Sequence, residues 1–132
     1  MKNKNLSVKI CALCAAMLLV ITTVETFAAR DRTRRIRFES GRTTKVIKDA
    51  VVRGDSDRYI LHARAGQTLI VHITSVESNA VFDIYRPGGK RTLENAQEST
   101  DWTGSLPRTG DYVIAVGGTR GNATYTLEVT VR

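Results

Sequence analysis

Histidines, cysteines and closely spaced carboxylates are the side chains with which a small domain could do chemistry, and this chain has few of them. His62 and His72 are the only histidines in 132 residues, and the alternation around each places it on the polar face of a strand, the setting of an ordinary surface histidine. Cys11 and Cys14 have the C-x-x-C spacing of redox and zinc sites, but they fall in an apolar N-terminal stretch that reads as a leader to be removed. Asp55-x-Asp57, in a loop opened by Gly54, offers the oxygens that calcium takes. Arg53 and Arg58 flank that pair, and stabilisation of a turn by aspartate side chains is the competing reading. No cluster of His, Cys and Asp has metal-ligand spacing. The expectation is a protein with no metal, no cofactor and no catalytic centre.

The N-terminus carries Lys2, Lys4 and Lys9, an apolar run from Ile10 to Ile21, and a polar stretch ending at Ala28 and Ala29. This is the layout of a secretory signal peptide, with cleavage after Ala28 or Ala29. The run is shorter than the roughly 20 residues of a membrane span. Residues 1–29 are therefore expected to be cleaved, both cysteines to leave with them, and the product to be periplasmic or secreted, without a disulfide or a membrane span. Of the formal charge of +7, the processed chain keeps 17 basic against 12 acidic residues. Residues 30–48 hold eight of those cations (Arg30, Arg32, Arg34, Arg35, Arg37, Arg42, Lys45 and Lys48) against Asp31 and Glu39. Such a leader suits anionic surfaces by long-range attraction or is simply a solvated N-terminus, and residues 30–35 are expected to be flexible. Its cations lack interleaved aromatics, which argues against nucleic acid.

From Ile36 onward the pattern is period-two alternation. Leu69, Val71 and Ile73 share one face, as do Tyr125, Leu127, Val129 and Val131. Tyr59, Leu61 and Ala63, then Phe82 and Ile84, then Tyr112, Ile114 and Val116 repeat it. Turn residues such as Pro87-Gly88-Gly89 and Thr109-Gly110-Asp111 bound the runs. The spacing predicts one all-β domain over residues 36–132, with seven or eight short strands in an antiparallel two-sheet, jelly-roll-like sandwich. Residues 92–100, polar and without alternation, read as a long surface loop with a short edge strand. Trp102 reads as a plug for the core, with a sugar-stacking platform as the alternative.

Particular segments resemble known families. Arg58-Tyr59, Ala63-Arg64-Ala65-Gly66-Gln67, the run from Phe82 to Gly89, Trp102 to Pro107 and Thr109-Gly110-Asp111-Tyr112 resemble the bacterial pre-peptidase C-terminal domain, a small β-sandwich found with extracellular hydrolases. The layout is also similar to the periplasmic inhibitors of goose-type (g-type) lysozyme, which share a basic opening with an element like Phe38-Glu39-Ser40-Gly41 and a stretch like Thr119-Arg120 before the last strand. The inhibitor resemblance implies a g-type lysozyme as protein partner. The pre-peptidase resemblance implies an accessory module for polysaccharide or another envelope component. A lysozyme cleft is lined by carboxyl groups, and an Arg side chain pairs with a carboxylate bidentately. On the inhibitor reading, a glycine-rich hairpin carrying Thr119, Arg120 and Asn122 would block the cleft, with Tyr59 and Arg58 as supporting contacts.

Overall fold

The structure, a computed structural model, describes residues 30–132; the leader, Cys11 and Cys14 lie outside the described residues. Eight strands follow one another: β1 (Asp31–Arg35), β2 (Thr44–Val51), β3 (Ser56–Ala63), β4 (Thr68–Ser75), β5 (Ala80–Tyr85), β6 (Asp101–Ser105), β7 (Gly110–Gly118) and β8 (Ala123–Val131). They form two four-stranded sheets, ordered β1-β3-β7-β5 and β2-β8-β4-β6. Odd strands make one sheet and even strands the other, so each connection crosses the sandwich. All pairings are antiparallel except that of β1 with β3.

The alternation explains the layers. In β8, Ala123, Tyr125, Leu127, Val129 and Val131 face inward and are at most 9% exposed, while Thr124 and Glu128 face solvent. Leu69, Val71 and Ile73 of β4 meet Tyr59 and Leu61 of β3, Phe82 and Ile84 of β5 and Tyr112, Ile114 and Val116 of β7 in one core cluster. Each fully buried Leu, Ile or Val in it contributes about 1.5–3 kcal/mol. Trp102 is half-buried against this core; its ring lies where a side chain on Gly104 would be, and its indole N–H donates to the Glu94 carbonyl at 2.9 Å.

In the first sheet, both sides of the β3-β7-β5 group are covered. The segment 92–99 returns along β5, with bonds Leu93 N to Ile84 O, Ile84 N to Ala96 O and Phe82 N to Ser99 O, and it buries Leu93 and Ala96. It is a loop bonded to the edge of β5 through its backbone, with isolated bridges at Phe82↔Ser99 and Tyr85↔Thr92 where the sequence suggests a short edge strand. At the other edge, residues 31–35, expected to lie outside the domain, form β1. They pair in parallel with β3 from Asp31↔Ser56 to Arg35↔Ile60.

Side chains explain why so basic a strand docks there. Asp57, only 2% exposed, takes a two-pronged ion pair from Arg32, Nε to Oδ1 at 2.6 Å and Nη2 to Oδ2 at 2.7 Å. Arg32 also reaches the Ala50 carbonyl at 2.6 Å, and Arg34 pairs with Asp49 of β2. The two arginines thus join the edge strands of opposite sheets. The Tyr125 hydroxyl donates to Asp57 at 2.6 Å, so the hydrogen of the Tyr59 hydroxyl is the one that serves the Tyr59–Tyr125 bond. Burial pushes both phenols above their usual titration range. Asp55 accepts the Arg30 amide at 2.9 Å. The acidic pair read as a calcium candidate is thus engaged by the N-terminal strand. Among the described residues, no helix is long and apolar enough to cross a membrane.

Candidate functional site

The segment Thr119–Asn122 joins β7 in one sheet to β8 in the other. It is an arch between sheets, whereas its glycine-rich composition suggests a hairpin; no β7–β8 ladder exists to make one. The glycines serve the sharp passage. A side chain on Gly118 would collide with the Gly121 carbonyl, and Gly121 adopts φ +82°, the left-handed region that favours glycine.

Two neighbouring loops brace the arch. From 76–79, the Asn79 side-chain amide donates to the carbonyls of both Arg120 and Asn122 at 3.0 Å, and the Asn79 carbonyl accepts the Thr119 amide at 2.8 Å. Asn79 is 4% exposed, is itself positioned through its own amide by Ser75 Oγ, and keeps its Oδ1 without a partner. From 52–55, the Arg53 amide donates to Asn122 Oδ1 at 2.8 Å. Glu77 receives the Thr124 amide at 3.0 Å, a bond that holds its carboxyl below the ordinary value. The arch backbone is therefore held from beneath while the Arg120 side chain stays exposed. Val52 and Val76 stand on the same two loops, 58% and 82% exposed.

The five residues singled out from sequence divide three ways. Arg120 and Asn122 are exposed on the arch. Thr119 shares a recess with Arg58, walled by Asp31, Asp83, Tyr85 and Glu98, and the Arg58 guanidinium lies 5.6 Å from the centre of the Tyr85 ring. Tyr59 is a correction. It alternates with outward-facing Arg58, is 2% exposed and ends in the hydroxyl chain to Tyr125 and Asp57. It has no surface to offer a partner. The alternation of β3 already put Tyr59 with Leu61 and Ala63. Asn79 and its role were missed, because a lone Asn before a strand carries no such signal in sequence.

The histidines do not come together. His62 lies on β3 and pairs with Asp111, whereas His72 lies on β4 in the other sheet and pairs with Asp101. Arg35, and then His62, hold the Asp111 carboxyl down at about 2.

No family model and no curated protein matches the sequence. The fold has solved counterparts. The chain is 28% identical to Aeromonas hydrophila PliG, a periplasmic inhibitor of g-type lysozyme, with a TM-score of 0.70 over 80% of this chain and 100% of that one. Salmonella Typhimurium PliG, with the same described activity, is 20% identical, with a TM-score of 0.63 over 76% of this chain and 98% of that one. The pre-peptidase C-terminal domain of a Bacillus anthracis collagenase is 11% identical, with a TM-score of 0.54 over 81% and 99%. The last two likenesses show the fold alone.

Proposed function

We propose that this protein is a non-catalytic, periplasmic inhibitor of a g-type lysozyme that acts by seating the 119–122 arch in the enzyme's cleft. The observation that carries the reading is the likeness to the Aeromonas inhibitor along the whole of that chain. The geometry of the arch agrees with it. A glycosidase cleft presents catalytic carboxyl groups, and a guanidinium on a braced loop reaches such a group without the further cost of ordering the backbone that carries it. Arg120 makes the charged contact, Asn122 and Thr119 flank it, and Val52 and Val76 provide apolar contact around it. Arg58, with Thr119, offers a second contact on the neighbouring face.

The test is lysis of peptidoglycan by a g-type lysozyme in the presence of the processed protein. Inhibition at stoichiometric concentration is expected. Arg120→Ala is expected to weaken it by about 2–5 kcal/mol, the cost of cutting a buried charged pair at an interface. Undiminished lysis at micromolar excess refutes inhibition. Full inhibition by the Arg120→Ala protein moves the contact off the arch.

A further inference from the structure

Of the eight cations in residues 30–48, Arg32, Arg34, Arg35 and Arg42 form ion pairs and Arg30, Arg37, Lys45 and Lys48 form none among the described residues, and a second, more compact group of free cations lies elsewhere in the molecule. Arg86, Lys90, Arg91 and Arg108 line a single recess with Pro87 and Gly88, and no acidic residue borders it. All four are exposed, and among the described residues none forms an ion pair. They come from two segments far apart in sequence, the turn after β5 and the turn before β7. The recess sits at the end of the sandwich away from the arch, since the nine residues of β7 separate the two ends by about 30 Å at about 3.3 Å per residue.

The recess is built as well as charged. The turn is closed by Arg86 N to Arg91 O at 2.8 Å and Gly89 N to Arg86 O at 2.9 Å, and Arg86 Nε donates to the Thr92 carbonyl at 3.2 Å. Across from it, Arg108 is clamped by the buried Tyr112 hydroxyl, which accepts its amide at 3.2 Å and donates to its carbonyl at 2.7 Å. The two segments are locked together where Pro87 occupies the space that a side chain on Gly110 would need. Four cations thus face one opening from backbones that do not have to be ordered on binding.

We propose that this recess is a binding site for phosphate oxyanions. Four neighbouring cations exceed what one carboxylate neutralises, whereas a phosphomonoester carries a charge of about −1.5 to −2 and three acceptor oxygens. Arg forks match that geometry. The recess has no aromatic wall on which a sugar or base could stack. Phosphates of this kind occur free in solution and on anionic lipid headgroups.

The test measures binding of the processed protein to inorganic pyrophosphate by calorimetry, and to phosphatidylcholine vesicles with and without phosphatidic acid, whose headgroup is a phosphomonoester, by cosedimentation. It compares Lys90→Gln/Arg108→Gln with Lys45→Gln/Lys48→Gln, which removes the same charge elsewhere. Binding to at least one phosphate probe is expected, weakened about 25-fold in the first variant at about a factor of five per cation, and unchanged in the second. Response to pyrophosphate identifies a soluble ligand; response to the phosphatidic acid vesicles alone identifies a headgroup. The proposal is overturned if neither probe binds, if both variants lose affinity equally, or if polygalacturonate, a carboxylate polymer, binds as well as the phosphate probes.

Discussion

The arginines of β1 and those of the loops have the same ordinary charge and opposite surroundings. Arg32, Arg34 and Arg35 each meet a carboxylate, Asp57, Asp49 and Asp111 respectively, within 2.5–2.9 Å. Arg120 on the arch and Arg86, Arg91 and Arg108 at the far end have no such partner among the described residues. Half of the cations in the densest positive run of the sequence are therefore tied up in ion pairs, and three of them, Arg32, Arg34 and Arg35, fasten β1, whereas the sparser loop arginines carry their charge without a carboxylate partner. Charge density along a chain is a poor guide to charge available at a surface, because the carboxylates that neutralise it come from other strands.

The strongest way to break that comparison is Arg32→Ala. It leaves Asp57 buried and unpaired, and a loss of about 3 kcal/mol in urea-unfolding stability is expected. Arg35→Ala, whose partner Asp111 is 45% exposed, should cost less than about 1 kcal/mol. Equal costs would mean that the buried pair does not fasten β1.

Asn79→Ala is next. It frees the carbonyls of Arg120 and Asn122, and about 1–3 kcal/mol of stability should be lost together with inhibitory potency, since the arch would no longer be held. Retained potency in a destabilised protein would show that bracing is irrelevant to binding.

Arg120→Ala, in contrast, should change unfolding free energy by no more than about 0.5 kcal/mol, whatever it does to inhibition. A larger loss would place Arg120 among the structural arginines.

The smallest effect concerns pH. The folded Asp111 carboxyl lies at about 2, below its ordinary 3.8. Its contribution to stability is complete above the ordinary value and is lost as pH falls from there toward about 2. Asp111→Asn should flatten that part of the acid-unfolding profile, and an NMR titration of the Asp111 carboxyl should show the depressed midpoint directly.

Much of the fold was legible in the chain itself. Alternation in 59–63, 69–73, 82–84, 112–116 and 125–131 marked strands and their inward faces, because period two is a local consequence of the pleat. It marked Tyr59 as a core residue too, although the inhibitor reading also names it among the supporting contacts. The composition of 119–122 correctly marked a tight, glycine-dependent connection, and Arg120 does stand exposed there.

What the sequence determined by itself was therefore which residues face inward and where the chain turns. Only the tertiary structure decided which sheet each strand joins, and hence that 119–122 is an arch rather than a hairpin. The same holds for Arg32 against Asp57, 25 residues on, for Asn79 beneath a loop 41 residues away, and for Arg108 beside the turn after β5. Periodicity is set by neighbours in the chain, whereas these partnerships follow from closing two sheets over one core, which brings together residues that carry no local trace of one another.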